Sequence, residues 1–463
     1  MSSEWPLVRL ENVTSRIGDG LHGTPKYDDN GDYYFINGNN LSNGRIVINE
    51  KTKRTDEEQY LKHKKDLNDR TIFVSINGTL GNIATYREEK IILGKSACYL
   101  NVLPEVDKDY IKYVLTSKHF QDYIHNLATG STIKNVGLKL IREYEFRLPE
   151  LDVQKKVSNI LNAIDFKIEL NTQTNQTLEQ IAQAIFKSWF VDFDPVKAKI
   201  ETLAAGGSAD DAELAAMRVI SDKTLDELNS LKTSNPEAFN KLAQTAALFP
   251  SAMQDSELGE IPEGWEVSDL ASCTTELRRG ISPKYIEEGG VLVINQKCIR
   301  NHTVDFSLAR RNDSSKRKVD GREIAIGDVL VNSTGVGTLG RLAPIRFLNE
   351  TTVADSHVTV VRANTTKISK SFLAGLMLTN EAYIEASGAG STGQTELRKQ
   401  VLEDIKFVKP LSAVDRLFDE IISNFNAQTA ELEKQRVTLS LTRDVLLPKL
   451  LSGEIDLTSE VVE

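Results

Sequence analysis

Residues 151–190 read LDVQKKVSNILNAIDFKIELNTQTNQTLEQIAQAIFKSWF. Apolar residues recur there in alternating steps of three and four, the heptad spacing of a helix that packs on another helix. The seam comprises Val157, Leu161, Ile164, Ile168, Leu178, Ala182, Ile185 and Trp189, with Asn171 and Asn175 as polar members. Such asparagines cost stability but define the register. We predict one helix of roughly 60 Å, at about 1.5 Å per residue, which separates domains or binds partners. The alternative is a core helix of a single globular domain.

A second copy of this helix lies near the other end of the chain. After a shift of 261 residues, Pro149 aligns with Pro410, Val157 with Phe418, Ile164 with Phe425 and Leu178 with Leu439. The copy is interrupted by polar residues at Thr429, Arg436 and Arg443, so its seam is looser. We expect a helix at 411–451 that packs antiparallel against the first.

The segments before the two helices also repeat. Trp5 matches Trp265, the Pro-Lys-Tyr run at 25–27 recurs at 283–285, and Phe146 to Pro149 matches Phe407 to Pro410. The matches are collinear. The sequence therefore predicts an α+β protein with two pseudo-symmetric mixed α/β domains separated by two long antiparallel coiled-coil helices. The expected boundaries are 1–148 for domain one, 149–194 for helix one, 195–264 for an acidic helical insert, 265–408 for domain two and 409–463 for helix two and the tail.

Local patterns indicate the elements within these parts. Short apolar runs at Tyr33–Ile36, Ile72–Ile76 and Ile91–Leu93, bounded by Gly, Asn and Asp, predict strands. Tyr110–Ile124 has helical spacing. Asp194-Pro195 is expected to end the long helix, because the residue before proline is displaced from the α region.

The charge distribution is uneven. The net charge is −10, but residues 1–148 carry 21 Lys and Arg against 20 Asp and Glu, and residues 265–408 carry 19 against 17. Residues 195–264 carry 6 against 12, so the acidity is concentrated in the insert. Each repeat domain could therefore present a basic face. Three distant cysteines, no signal-peptide core and no apolar run of about 18 residues predict a cytoplasmic protein without a membrane span.

The sequence contains only incomplete matches to nucleotide-binding motifs. Gly94-Lys95-Ser96 resembles the end of a P-loop, but Glu89 stands where the first glycine belongs. The spacing of Gly335, Gly337 and Gly340 fits a dinucleotide loop, yet a strand-like segment follows instead of a helix. The sequence contains no Asn-Pro-Pro-aromatic motif and no zinc-ligand spacing. We expect a non-catalytic chain without catalytic residues, metal ligands or its own cofactor.

Two runs carry a resemblance to a known family: Phe186-Lys187-Ser188-Trp189-Phe190-Val191-Asp192-Phe193-Asp194-Pro195 and Ser256-Glu257-Leu258-Gly259-Glu260-Ile261-Pro262-Glu263-Gly264-Trp265. With the doubled layout, the chain resembles the specificity subunit of type I restriction-modification systems over its full length. The resemblance implies two target-recognition domains, each reading one half of a bipartite, asymmetric site on double-stranded DNA. It also implies two modification (adenine methyltransferase) subunits and the restriction subunits as partners, which would bind S-adenosylmethionine, ATP and Mg²⁺.

Polar loops supply the candidate DNA contacts, since Asn and Gln can pair with adenine and Arg and Lys with guanine. The candidates in domain one are Thr24, Lys26, Tyr27, Asn37, Asn39, Asn40, Ser75, Asn77, Lys95, Ser131, Thr132, Lys134 and Asn135. Those in domain two are Arg279, Ser282, Lys284, Tyr285, Asn295, Gln296, Lys297, Asn332, Ser333, Thr334, Arg341, Ser391, Thr392 and Gln394. Ordinary turn chemistry is the alternative explanation, because Asn and Gly favour tight turns.

Apolar residues at the helix ends supply the candidate partner contacts. They are Phe186, Trp189, Phe190, Phe193, Leu447 and Leu450. The alternative is that the aromatic residues form a local core with the insert. The alternative function is a non-catalytic coiled-coil adaptor with two protein-binding domains. Its contact loops would be alike in the two copies, whereas Asn37-Gly38-Asn39-Asn40 corresponds to Asn295-Gln296-Lys297-Cys298.

Overall fold

The computed structural model describes residues 5–42, 44–130, 134–335, 337–388, 396–455 and 457. The chain divides into two compact units, Met1–Asn171 with Gln435–Glu463, and Thr172–Lys434. Each unit contains one repeat domain and a part of both long helices. These units cut across the predicted boundaries, which set the helices apart from the domains. The reason is packing: the seam residues Val157 and Leu161 belong to the core of domain one, and Phe186 and Trp189 to that of domain two.

Both long helices are present. The first spans Leu151–Phe190, as the heptad pattern predicts, and the second spans Ser412–Ser452. In the first unit, Asn171 Nδ2 donates to Gln435 Oε1 at 3.3 Å. In the second unit, Asn175 Nδ2 donates to the Thr429 carbonyl at 3.5 Å. Both asparagines are buried, so the two polar seam positions lie inside the helix pair, as expected.

Domain one is built from small sheets and short helices. Its strands are β1 (Leu7–Arg9), β2 (Thr14–Asp19), β3 (Tyr33–Ile36), β4 (Leu41–Ser42), β5 (Arg45–Ile46), β6 (Arg54–Thr55), β7 (Thr71–Ser75), β8 (Ile83–Thr85), β9 (Ile91–Leu93), β10 (Ala97–Val102) and β11 (Glu145–Arg147). The sheet orders are β2-β10-β7-β8, β6-β3-β9, β1-β11 and β4-β5, and β3 pairs with β9 in parallel. Its helices are Glu57–His63, Lys108–Thr116, Lys118–Leu127 and Leu138–Glu143, with 3₁₀ turns at Leu10–Val13 and Gly38–Asn40.

The single helix predicted at Tyr110–Ile124 is two helices. Ser117 has extended backbone angles and separates them. Its hydroxyl accepts from Phe120 N at 3.4 Å and so caps the second helix. Apolar periodicity continues across the break, which is why the pattern reads as one helix, whereas serine competes for backbone bonds and favours a cap.

Domain two repeats this topology. Its strands follow the insert hairpin of β12 (Met253–Ser256) and β13 (Gly259–Pro262); they are β14 (Glu266–Asp269), β15 (Thr274–Arg279), β16 (Tyr285–Ile286), β17 (Val291–Ile294), β18 (Ile299–Arg300), β19 (Thr303–Val304), β20 (Arg310–Asn312), β21 (Val329–Asn332), β22 (Leu342–Pro344), β23 (Thr352–Ala354), β24 (Val358–Ala363) and β25 (Lys406–Lys409). The orders are β15-β24-β21-β22, β16-β20-β17-β23, β14-β25 and β18-β19, and β17 pairs with β23 in parallel. Its helices are Lys370–Thr379, Glu381–Ala386 and Lys399–Glu403, with 3₁₀ turns at Gln296–Cys298 and Phe306–Leu308.

The insert begins with four helices, Asp194–Ala204, Ala209–Ser221, Leu225–Ser234 and Pro236–Ala247. The first long helix ends close to Asp194-Pro195, but for a different reason from the one predicted. Phe193 takes the left-handed conformation with φ 57°, and Asp194 is already the first residue of the next helix. Pro195 lies in that helix's first turn, where a missing N–H costs nothing.

The aromatic residues at the end of the first long helix form a core. Phe186, Trp189, Phe190 and Phe193 are each at most 9% exposed, and they pack with residues that include Trp265 of domain two. Leu447 and Leu450 are buried in the core of the first unit. Burial of these six side chains argues against the prediction that they contact partner proteins, and for the aromatic group it favours the alternative of a local core. In the described part of the chain, no helix is long and apolar enough to cross a membrane.

Candidate nucleic-acid interface

The candidate side chains fall into classes of exposure. Exposed candidates are Thr24, Lys26, Tyr27, Asn39, Lys95, Lys134, Asn135, Ser282, Lys284 and Lys297. Half-buried candidates are Asn37, Asn40, Asn77, Arg279, Tyr285, Gln296, Thr334 and Arg341. Buried candidates are Ser75, Asn295, Asn332 and Ser333. The remaining five candidates lie outside the described residues: Ser131, Thr132, Ser391, Thr392 and Gln394.

The four buried candidates support loops from within. Ser75 Oγ accepts from Asn82 N at 2.9 Å, and Asn332 Nδ2 donates to the Gln296 carbonyl at 3.0 Å. Asn295 Nδ2 donates to the Leu308 carbonyl at 3.1 Å, and Ser333 shares a 2.5 Å hydrogen bond with Thr359. These internal bonds satisfy polar groups that would be costly to bury unpaired, whereas Asn332 Oδ1 is buried without a hydrogen-bond partner among the described residues. Their burial argues against the prediction that they contact DNA: in this structure they shape the loops that hold the exposed candidates.

Ser96 connects the polar loops of domain one. Its hydroxyl donates to Asn37 Oδ1 at 2.9 Å, and its carbonyl accepts from Ile76 N at 2.9 Å. Asn77, the residue after Ile76, forms a backbone bridge with Asn135. Loops that are distant in sequence thus meet at one place. We call this place the first junction; it comprises residues 37–40, 75–78, 94–96 and 134–135.

His357 connects the polar loops of domain two. Its carbonyl accepts from Ser333 N at 2.8 Å, and its Nδ1 lies 2.7 Å from Thr334 Oγ1. Thr334 Oγ1 also lies within hydrogen-bond distance of Gln296 Oε1, at 3.3 Å, and the Thr334 backbone bridges Glu396. We call this place the second junction; it comprises residues 295–298, 333–335, 355–357 and 396–397.

The two junctions share a backbone and differ in side chains. Strand register aligns them, because Ser75 pairs with Ala97 in domain one and Asn332 with Val358 in domain two. By this alignment Asn39 corresponds to Lys297, Asn77 to Thr334, Ser96 to His357 and Asn135 to Glu396. Asparagine suits adenine, lysine suits guanine and a glutamate can accept from cytosine. The same scaffold therefore offers different hydrogen-bonding groups at equivalent positions.

The Pro-Lys-Tyr loop of domain one is anchored to strand β6. Thr55 is fully buried, and its hydroxyl donates to the Lys26 carbonyl at 2.9 Å. Lys53 Nζ lies 5.7 Å from the centre of the Tyr27 ring, a cation–π distance. Arg54 stacks similarly on Tyr34, with its Cζ 5.1 Å from the ring centre. Exposed cations on and beside strand β6 are therefore supported by the aromatic rings of the loop and of strand β3.

Domain two builds the corresponding loop with other residues. Asn312 is fully buried, and its Oδ1 accepts from Lys284 N at 2.9 Å. Arg310 Cζ lies 3.4 Å from the centre of the Tyr285 ring. Val291 pairs with Asn312 as Tyr33 pairs with Thr55, so Arg310 occupies the place of Lys53. A cation over the loop tyrosine is thus common to both repeats.

Each Pro-Lys-Tyr loop is continuous with its junction. Leu21 forms a parallel bridge with Gly94, and Ile281 forms the equivalent bridge with Asp355. A side chain at Gly20 would lie 2.3 Å from the Gly94 carbonyl oxygen, and one at Gly280 would lie 2.0 Å from the Ala354 carbonyl oxygen. This close backbone approach requires glycine. The glycine places Thr24 and Ser282 on an exposed loop that leaves directly from the junction.

Other candidates border the second junction. Arg279 Nη2 lies 2.7 Å from Glu396 Oε1, so the arginine and the acid form an ion pair. Arg341 closes the turn after Gly340, and its carbonyl accepts from Asn332 N at 2.9 Å. Burial raises the pKa of Asp355, which faces the Tyr285 hydroxyl at 3.4 Å.

Sequence reasoning missed several residues at this surface. Lys53, Arg54, Arg310, Arg311 and Glu396 were not among the candidates, and neither was His357. The pairs Lys53-Arg54 and Arg310-Arg311 could have been found from the sequence, because two adjacent cations occur at the same place in both repeats. Glu396 and His357 carry none, since only strand register aligns them with Asn135 and Ser96.

Within the described ranges, no three His, Cys, Asp or Glu residues are grouped as a metal site. Burial raises the pKa of the Cys98 thiol to about 12 and that of Cys298 to about 11, so both stay protonated near neutral pH. After Gly340 comes strand β22, so the glycine run lacks the helix that a dinucleotide site needs.

Comparisons of the sequence with known proteins indicate one family. Residues 3–180 match the family model described as the type I restriction modification DNA specificity domain. The type I restriction enzyme HindI specificity subunit of Haemophilus influenzae is 30% identical over 376 residues, covering 76% of this chain and 78% of that protein. The MjaIX specificity subunit of Methanocaldococcus jannaschii is 21% identical, covering 98% and 94%. The crystal structure of a type I S subunit from M. genitalium covers 96% of both chains, with 18% identity and a TM-score of 0.48.

Proposed function

Because the chain belongs to the family of type I restriction-modification specificity subunits, we propose that it selects DNA through a bipartite, asymmetric target, with one half read by each repeat domain. One observation carries this proposal. The two junctions have the same backbone and register but different side chains at equivalent positions, such as Asn135 and Glu396. One scaffold with two sets of hydrogen-bonding groups suits a target whose two halves differ.

We assign recognition of the DNA bases to the exposed and half-buried residues of the junctions. Asn39, Asn77 and Asn135 are the base-reading candidates of domain one, and Lys297 and Thr334 are those of domain two. They are held by buried neighbours, so their positions are set before DNA binds. Such preorganisation reduces the ordering cost of association.

Partner docking is assigned to exposed apolar residues of the long helices, in place of the buried aromatic group. In the first unit, Phe166 is 67% exposed, Leu441 63% and Val445 59%. Solvent-exposed side chains of this size on paired helices favour a protein interface. We assign this surface to a modification subunit; two such subunits, with restriction subunits joining through the complex, complete the proposed assembly.

We assign the catalytic reactions to the modification and restriction subunits. Methyl transfer with S-adenosylmethionine and cleavage with ATP and Mg²⁺ would take place on the modification and restriction subunits, in the cytoplasm. This chain would contribute the choice of sequence.

The test is methylome sequencing of cells that express the chain with its modification subunits. We expect one methylated motif with two unlike halves and a constant spacer. Replacing residues 5–148 with the equivalent domain of a relative should change one half only. A swap within residues 209–247 of the insert is the control and should leave the motif unchanged. A motif in which both halves change would contradict independent reading, and no methylation in an intact complex would favour the protein adaptor.

A further inference from the structure

We propose that two equivalent basic segments, residues 51–65 and 309–323, bind phosphates of the DNA backbone and supply the sequence-independent part of the affinity. The inference rests on the proposed function and deepens it, because it separates the residues that hold DNA from those that read it. We call these two stretches the basic segments.

The two basic segments are rich in lysine and arginine. Each contains six Lys and Arg against three Asp and Glu, a net charge of +3, in a chain of net charge −10. Both segments include the strand that is tied to the Pro-Lys-Tyr loop, β6 at the edge of its sheet in domain one and β20 between β16 and β17 in domain two. A basic stretch at one place could be chance. Its recurrence at the equivalent place, with a different sequence, favours a shared role.

The cations of the basic segments face solvent. In domain one the exposed ones are Lys51, Lys53, Arg54, Lys62 and Lys64. In domain two they are Arg310, Lys316, Arg317 and Lys318. Among the residues that the structure describes, salt bridges in the two segments involve only Arg311 with Glu350, at 2.7 Å, and Lys316 with Asp313, at 3.4 Å. Most of the positive charge is therefore available to an external anion.

Buried residues hold these cations in place. The anchors Thr55 and Asn312 are fully buried and tie each strand to its Pro-Lys-Tyr loop. Asn312 Nδ2 also donates to the Arg317 carbonyl at 2.9 Å, which fixes the turn carrying Lys316 to Lys318. Beyond the turn, Val319 packs in a small core that includes Val293. Fixed cations lose less freedom when they bind than mobile ones do.

Like charges are gathered in domain two. The pKa of Arg322 is lowered, first by burial and then by the neighbouring cations Arg278 and Arg317. Folding thus brings guanidinium groups together against their mutual repulsion. Glu276, which lies 2.8 Å from Arg278, offsets part of this repulsion, and a bound anion would offset more of it.

The pattern of substitution between the repeats favours phosphate over bases. Lys53 in one repeat is Arg310 in the other, both stacked on the loop tyrosine. The exchange of lysine for arginine keeps the positive charge but changes the geometry of the hydrogen-bond donors. A base edge would discriminate between these two donor geometries. Phosphate contacts position a protein on the duplex and carry no sequence information. The base-reading junctions, in contrast, differ in chemical type.

The experiment measures the DNA affinity of the chain assembled with its modification subunits, at several salt concentrations. Two duplexes are compared: one contains the target motif found by methylome sequencing, and the other contains that motif in scrambled order. The variants are Lys53→Gln with Arg54→Gln, and Arg310→Gln with Arg317→Gln. Lys118→Gln with Lys139→Gln is the matched control, since both lysines are exposed in domain one and lie outside the segments. Lys53→Arg and Arg310→Lys keep the charge. Thermal unfolding of each variant verifies folding.

Each lost phosphate contact should reduce the slope of log affinity against log salt by about 0.9. We expect each double variant to lower the slope by about two, to weaken both duplexes by the same factor and to leave the methylated motif unchanged. The control and the charge-keeping variants should match the wild type. A slope equal to that of the control, or a changed preference between the duplexes, would overturn the inference. Wild-type binding with no preference for the motif would instead count against the proposed function.

Discussion

Asp165 and Arg443 form an ion pair between the two long helices, with Arg443 Nη1 3.1 Å from Asp165 Oδ1. Arg443 appears in the sequence as an interruption of the heptad seam. In the structure it is a specific contact, and Tyr113 adds to it by donating its hydroxyl to Asp165 Oδ2 at 2.7 Å. One carboxylate thus joins both helices and a helix of domain one.

Replacing Asp165 should therefore destabilise the first unit. We expect Asp165→Ala to cost about 1–3 kcal/mol, because the Tyr113 hydroxyl and the Arg443 guanidinium both lose an acceptor. Asp165→Asn should cost less, since the amide oxygen can still accept one bond. Urea unfolding measures the difference. Lys155→Ala, an exposed change on the same helix, is the control. Equal stability of the Ala and control variants would show that the pair contributes nothing.

Two surfaces of the long helices should respond differently to mutation. Phe166→Glu with Leu441→Glu should weaken association with the modification subunit without lowering thermal stability, because both side chains are largely exposed. Trp189→Ala should cost about 3–5 kcal/mol, because it leaves a cavity in the aromatic core. Size-exclusion chromatography with the partner, together with thermal unfolding, separates the two effects. Normal complex formation by the Glu variant would exclude the proposed docking surface.

Gly375 offers a test of packing against the first long helix. Alanine normally stabilises a helix interior relative to glycine by about 1 kcal/mol. Here a Cβ at Gly375 would lie 2.3 Å from Phe186 Cδ2, within the buried core. We therefore expect Gly375→Ala to lower the unfolding temperature. Gly23→Ala, where a Cβ has no neighbour within 4 Å, should leave it nearly unchanged. Stabilisation by Gly375→Ala would show that this contact is loose.

His302 should make the stability of domain two depend on pH. Its Nε2 lies 2.7 Å from Glu381 Oε2, and this hydrogen bond raises the pKa of His302 above its ordinary 6.5, against the opposing effect of burial. A raised folded-state pKa adds stability that is complete below about pH 6.5 and is lost as pH rises through the folded value. The neighbouring Glu179 acts in the same direction and Arg346 in the opposite one.

His302→Gln should therefore destabilise the protein more at pH 6 than at pH 9. The expected difference is about 1.5–3 kcal/mol, the usual range for a hydrogen bond to a charged group. Urea unfolding at both pH values measures it. In a Glu381→Gln background the pH dependence should largely disappear. A His302→Gln effect that is the same at both pH values would mean that folding does not change the pKa of His302.

The amino-acid sequence by itself determined the helices and the repeat. Heptad spacing located Leu151–Phe190, and collinear matches located the second domain, because periodicity and repetition are local properties that any fold must accommodate. Short runs such as Tyr33–Ile36 and Ile91–Leu93 likewise became strands. The exposed loop residues Lys26 and Lys284 were also predictable, as parts of a repeated Pro-Lys-Tyr run.

Only the tertiary structure decided what covers each face. Periodicity shows that Trp189 lies on an apolar face, but the choice between a partner and a core depends on Trp265 and other residues far along the chain. A polar residue such as Ser75 or Asn332 can bond to DNA or to a neighbouring backbone group, and its burial in this structure favours the backbone group. The correspondence of Ser96 with His357 follows from strand register alone. Burial and register arise from contacts between distant segments, and local sequence patterns do not encode them.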